Sequence, residues 1–243
     1  MPESIKIVFD LDDFHVDSVG MEYLLRLKEH FPKFRCTLFT IPLPIEQFGG
    51  GFPKDERIAQ WAKMINGYDW IEIAPHGLFH VKGECAVSRQ DAALRIRTIE
   101  SIFKRFGLKY VKIFKAPHWI MSRGMYQELI KRGYNVAIDI RQKNVEIYDY
   151  QYDWSIDGRF PYGKDIVKAH GHINTMDNAI IRCFEKLLKE IPPDADWLTV
   201  SEYINLYGKR RNLSQWDRLK ILSVDTARTV LAKTRAYGRF RKS

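Results

Sequence analysis

Residues 5–14 read Ile-Lys-Ile-Val-Phe-Asp-Leu-Asp-Asp-Phe, an apolar run that ends among three closely spaced acids. Ile5–Phe9 is short and carries β-branched and aromatic side chains, which predicts a buried strand rather than a helix. Asp12-Asp13 then lies at the C-terminal end of that strand. The arrangement recurs twice. Trp70–Ala74 reads as a strand followed by His76 and His80, and Ile166–Ala169 as a strand ending at His170 and His172. In α/β folds this edge of the sheet is where sites are built.

Between these strands lie helical periods with their punctuation. Met21 begins one that runs to about Phe31, where Pro32 stops it. Cys36–Ile41 is strand-like. Glu56–Ile65 reads as a helix closed by Asn66-Gly67. Ser88 with Asp91 marks the start of a helix carrying Leu94, Ile96, Ile99, Ile102 and Phe103, and Gly107 ends it. Val111–Phe114 and Tyr134–Ile138 read as strands around a helix over Ser122–Arg132. Asp177 caps a helix to Glu190, and Leu198–Val200 with Ser201–Leu206 give a last strand and helix. Residues 141–164 are aromatic and polar without a period. Alternating strands and helices imply a parallel sheet with helices outside. Six or seven such units in about 207 residues fit a barrel.

The charge is segregated. Of the formal net charge of +9, all is carried by 208–243, which holds eleven Lys/Arg against Asp217 and Asp225. The expected organisation is therefore a neutral domain over 1–207 and a basic extension over 208–243. Ser214–Lys233 can form a helix with a loose apolar stripe (Trp216, Leu219, Leu222, Val230). Such a tail suits an anionic membrane surface or an anionic glycan. The bland alternative is a solvated helix against the barrel, and nucleic acid is the least favoured partner. No run of about 18 apolar residues and no secretory leader is visible, which predicts a cytoplasmic protein, peripheral at a membrane if the tail holds it there. Cys36, Cys85 and Cys183 are sparse and odd in number, which predicts free thiols.

Two histidines and a carboxylate are a sufficient ligand set for a hydrolytic metal. His76-Gly-Leu-Phe-His80 offers the histidines on one turn. Two adjacent acids beside them need compensation if buried, and a cation supplies it. Packing for the histidines and a helix cap for Asp12-Asp13 are the plainer alternatives.

Four segments carry a resemblance. Phe9-Asp-Leu-Asp-Asp13, His76-Gly-Leu-Phe-His80, Lys115-Ala-Pro-His-Trp119 and Val167-Lys-Ala-His170 resemble, in order, motifs of the polysaccharide deacetylase superfamily (NodB-type, carbohydrate esterase family 4). The resemblance implies a distorted (β/α) barrel of about seven parallel strands, a divalent metal (Zn first, with Co, Ni or Mn as alternatives) and removal of acetyl groups from sugars. It implies Asp13, His76 and His80 as metal ligands, Asp12 as general base and His170 as general acid. Lys115, Pro117, Trp119 and Asp10 fall where substrate contacts are expected.

Four departures qualify it. A third acid, Asp10, competes with Asp12 for the role of base. Lys115 stands where the family has Arg, and a lysine cannot make a bidentate fork. The fourth, Asp-containing motif is not evident, with Asp139 or Asp153-Trp154 as stand-ins, and His170 and His172 compete for one role. Trp119, Trp154 and Tyr162 are candidate sugar platforms. Gly49-Gly50-Gly51 lacks the Lys-Ser/Thr of a phosphate loop and reads as a flexible rim. The expected function is a metal-dependent hydrolase that deacetylates an N-acetylated sugar or glycan precursor. Another C–N hydrolase and a silent glycan-binding module are the alternatives.

Overall fold

The computed structural model describes residues 4–44, 54–138, 147–173, 178–208 and 211–212. The Gly49–Gly51 rim, Asp139, the Asp177 cap and the Ser214–Lys233 helix lie outside the described residues.

β1 (Lys6–Phe14), α1 (Met21–His30), β2 (Cys36–Thr40), α2 (Asp55–Ile65), β3 (Ile71–Pro75) and α3 (Arg89–Arg105) form the first half. β4 (Ile113–Lys115), α4 (Arg123–Lys131), β5 (Asn135–Ile138), β6 (Ile147–Tyr148), β7 (Tyr150–Gln151), β8 (Trp154–Ser155), β9 (Ile166–His172), α5 (Asn178–Glu190), β10 (Asp196–Leu198), α6 (Val200–Tyr207) and β11 (Arg211–Asn212) follow. The expected α/β alternation is present, and the period-free segment resolves into three two-residue strands.

Two parallel ladders carry the architecture. One runs β3-β2-β1-β9-β8, with β10 beside the first half of β1; the other runs β4-β5-β7. Val111 N donates to Ile73 O (2.9 Å) where the first ladder approaches the second. On the far side, β7 pairs with β5 and β8, two residues later, pairs with β9. A continuous ladder around a barrel is not present among the described residues, so the expectation of a mostly parallel α/β fold is met and closure into a barrel is not seen. β6 and β11 form a separate antiparallel pair.

Two apolar layers follow from strand alternation. Val8, Phe39, Ala74, Ile113, Ala137 and Tyr150, one from each of six strands, form an interior cluster with Val200 of α6. The opposite faces pack under the helices, where Phe9, Phe34 and Trp197 meet edge to face at 4.8–5.9 Å; such pairs add about 0.5–1.5 kcal/mol each beyond area burial. Caps fix the helix starts. Ser88 and Ser122 accept from Asp91 N and Met125 N, and Thr199 with Glu202 forms a capping box.

The strands that carry the site outrun their apolar runs. β1 continues to Phe14 rather than Phe9, β4 to Lys115, and β9 to His172 rather than Ala169. The added polar residues Asp10, Asp12, Asp13, Lys115 and His170 are nevertheless buried, and His172 is half-buried. Hydropathy ends a strand where its polar residues begin, even when those residues face inward. Cys36 and Cys85 are buried free thiols, as expected, and Cys183 is half-buried.

Candidate active site

The β1–β9 register aligns Asp10 with His170 and Asp12 with His172. Residues two apart share a strand face, so all four lie on one face of the sheet. β4 brings Lys115 against them, and the loop after β3 brings His76 and His80.

Two triads of the same residue types result. Asp13, His76 and His80 have ligand atoms within 4.8 Å of one another, and so do Asp12, His170 and His172. In the first, Asp13 Oδ1 lies 2.8 Å from His80 Nε2 and 3.4 Å from His76 Nε2, yet makes no hydrogen bond. A buried carboxylate oxygen without a hydrogen bond, set between two imidazole nitrogens, is an arrangement a cation would bind. His76 Nδ1 faces Lys115 O at 2.9 Å. With Nδ1–H donating to that carbonyl, Nε2 is left with its lone pair directed at the triad.

The second triad is tied to an ammonium. Lys115 Nζ lies 2.8 Å from Asp10 Oδ1, 2.9 Å from Asp12 Oδ1 and 3.1 Å from His170 Nδ1. The ammonium donates to Asp10 Oδ1 and pairs by charge with Asp12 Oδ1, and a compact point charge serves these two carboxylates where a planar fork would not. Asp10 is further held by Tyr150, whose hydroxyl donates to Oδ2 at 2.7 Å, and it meets His170 Nδ1 at 2.8 Å. The ring of Tyr152 stacks on His170 at 4.3 Å. His170 Nε2 is thereby turned toward Asp12 Oδ2, 3.8 Å away, and has no hydrogen-bond partner among the described residues.

Burial alone would raise all three carboxyls. At Asp10 the charges of Lys115 and His170 outweigh it, at Asp12 those of Lys115, His76 and His170, and at Asp13 the adjacent imidazoles of His76 and His80; each is held below the ordinary range. Burial would lower Lys115, but Asp10 and Asp12 push it upward. Burial lowers His172 despite Asp12 nearby, whereas Asp12 and Asp13 overcome burial and raise His76. Three buried carboxylates therefore face one buried ammonium. One divalent cation balances the remaining two negative charges, and a second would reverse the imbalance. The donor set of one carboxylate and two imidazoles fits such an ion.

Backbone strain marks the same place. The positive-φ residues other than glycine, among the described residues, are Asp13 (66°), His80 (62°), His118 (51°) and Trp119 (56°). All four belong to the segments that carry the site, and such strain gathers where surrounding structure fixes a functional geometry.

Several sequence expectations are corrected. Asp10 and Lys115, placed at the substrate by motif position, are fully buried and engaged with each other. Asp153 does not stand in for the missing acid, because it accepts from Lys168 N (3.0 Å) and pairs with Lys164 and Lys168; the carboxylate at His170 Nδ1 is Asp10. Trp154 is no platform, being buried against Phe160. Pro117 is buried, Trp119 half-buried and Tyr162 exposed. Tyr150, Tyr152, Glu84 and His118 were not singled out from the sequence. Of these, His118 is exposed with its ring 4.6 Å from that of His80.

No protein-family model and no curated protein matches the sequence. Solved structures share the fold. The Xyl-CE4 domain of a multidomain xylanase from the hindgut metagenome of Trinervitermes trinervoides is 18% identical with TM-score 0.53, over 88% of this chain and 96% of that one. A family 4 acetyl xylan esterase from Clostridium thermocellum, in complex with a cobalt ion, is 14% identical with TM-score 0.54, over 83% and 91%. The chitin deacetylase of Colletotrichum lindemuthianum is 13% identical with TM-score 0.54, over 83% and 88%.

Proposed function

We propose that this chain is a metal-dependent hydrolase that removes an acetyl group from an N-acetylated sugar or glycan precursor. The observation that carries the reading is the pairing of a converging Asp13–His76–His80 donor set with a separate Asp12–His170 pair 3.8 Å apart. The shared fold with a cobalt-bound acetyl xylan esterase and a chitin deacetylase supports the acetylated-carbohydrate class.

Asp13, His76 and His80 would hold the ion, with Zn²⁺ the first candidate and Co²⁺, Ni²⁺ or Mn²⁺ compatible with the same donors. A bound divalent cation supplies a Lewis acid and lowers the pKa of a coordinated water toward neutrality. The chain's own residues handle the protons. Asp12 keeps Oδ1 on Lys115 and leaves Oδ2 toward the site, ionised and able to accept a proton from the attacking water. His170 has Nδ1–H held on Asp10 and its ring fixed by Tyr152, so Nε2 is the nitrogen able to protonate the departing amine. Lys115 holds base and acid together, which places it and Asp10 behind the reacting groups rather than on the substrate. His172, nearer the strand end, flanks the same space. His118, with its ring 4.6 Å from that of His80, and the following Trp119 are the candidates for sugar contact.

The test is acetate release from N-acetylglucosamine oligomers by the full chain, stripped of metal and then supplied with Zn²⁺ or Co²⁺. Metal-dependent release that Asp12→Asn abolishes while bound metal remains supports the reading. Release that survives both chelation and Asp12→Asn overturns it.

A further inference from the structure

The loop that carries His80 is built around a buried carboxylate outside the proposed site. Leu78 N and Phe79 N both donate to Glu84 Oε2 at 3.0 Å, and His80 N donates to Oε1 at 2.9 Å. Glu84 is 4% exposed, and the cation nearest to it among the described ion pairs, Arg95 Nη1, stands 4.0 Å away. Three consecutive amides that line one side of a turn form an anion nest. Gly77 at φ +76° and His80 at φ +62° give the backbone that shape. A Cβ on Gly77 would sit 2.2 Å from Glu84 Oε1 and 2.5 Å from Pro117 Cγ, so only glycine lets the loop close over the carboxylate. The loop segment after Glu84 is anchored in turn, because Ser122 N donates to Cys85 O at 2.8 Å at the start of α4.

We propose that Glu84 is the positioning residue for His80: it fixes the backbone of residues 78–80 and so the distance at which the His80 ring meets Asp13 and His76. The proposal rests on the reading of those three residues as a metal site. Both Glu84 oxygens are turned to amides, so it acts through the loop and not as a ligand. A charged acceptor is required, because charge-assisted bonds from three amides repay the burial of the carboxylate. A glutamine of the same shape sets its own amide protons against at least one of those N–H groups. Outer contacts that orient ligands are worth about 10–100-fold in metal affinity.

Cobalt titration of the full chain, followed by visible absorption, tests this without substrate. Glu84→Gln is expected to raise the Co²⁺ dissociation constant about 10–100-fold and to alter the absorption band, while the melting temperature of the metal-free protein shows that the fold persists. A wild-type dissociation constant and band in the variant overturn the proposal. Amide hydrogen exchange on the unmodified chain covers the case in which the variant does not fold. Protection at Leu78, Phe79 and His80 supports the nest, and exchange at the rate of free loop amides overturns it. If the wild-type chain binds no divalent cation, the metal reading fails, whereas the amide exchange still decides whether Glu84 holds the loop.

Discussion

Asp13–His76–His80 and Asp12–His170–His172 contain the same residue types, lie side by side and are about equally buried, yet the structure equips them differently. In the first triad Asp13 Oδ1 faces two imidazole nitrogens without a hydrogen bond, and no Lys or Arg pairs with Asp13 among the described residues. In the second, Lys115 already supplies the positive charge, and Asp10 occupies the inner nitrogen of His170. The comparison teaches that residue type alone does not assign a metal site. The nearest fixed charge decides which acids are left for a cation and which are left for protons.

Four substitutions probe that contrast. The largest effect is expected from Lys115→Met, which leaves Asp10 and Asp12 buried without their partner. Urea denaturation of the metal-free chain at neutral pH should show a loss of about 3–5 kcal/mol, and a change as small as that of a surface substitution would remove the ammonium from the account. Asp12→Asn should cost about 10²–10⁴-fold in turnover with metal content unchanged. Loss of the metal along with the activity would mean that the two triads are not separate. Gly77→Ala should destabilise by more than about 1 kcal/mol, through its positive φ and the clash with Glu84, and should weaken metal binding. An unchanged affinity would disconnect the loop from the first triad. Ser88→Ala removes the cap of α3, remote from both triads, and should cost about 1 kcal/mol with turnover and metal binding untouched; a change in either would show that global stability, rather than local charge, governs the site.

Much of this contrast was legible in the sequence, and the part that was not has a common cause. The positions of Asp12, Asp13, His76, His80 and His170 followed from the ends of apolar runs, because a period of two and short length identify strands well. The pairing of Asp10 with His170 was hidden, since it depends on the register between β1 and β9, which are 160 residues apart at that contact. Tyr150 and Tyr152 fell in a segment without a period, where two-residue strands leave too little pattern to read. Glu84 carries no sequence pattern that sets it apart from other loop acids. The signal that could have drawn attention to it was the glycine after His76, which requires a turn whose amides need an acceptor. By sequence Lys115 is a departure because a lysine is a poor fork, whereas its junction with Asp10 and Asp12 is visible only once the strands are in place.

The balance of three buried carboxylates against one buried ammonium makes the central claim countable. Metal analysis of the purified full chain after saturation with Zn²⁺ and removal of excess should give one ion per chain, lost in Asp13→Ala and His76→Ala and kept in His172→Ala. No bound ion, or two ions with one lost in His172→Ala, would contradict the division between the triads.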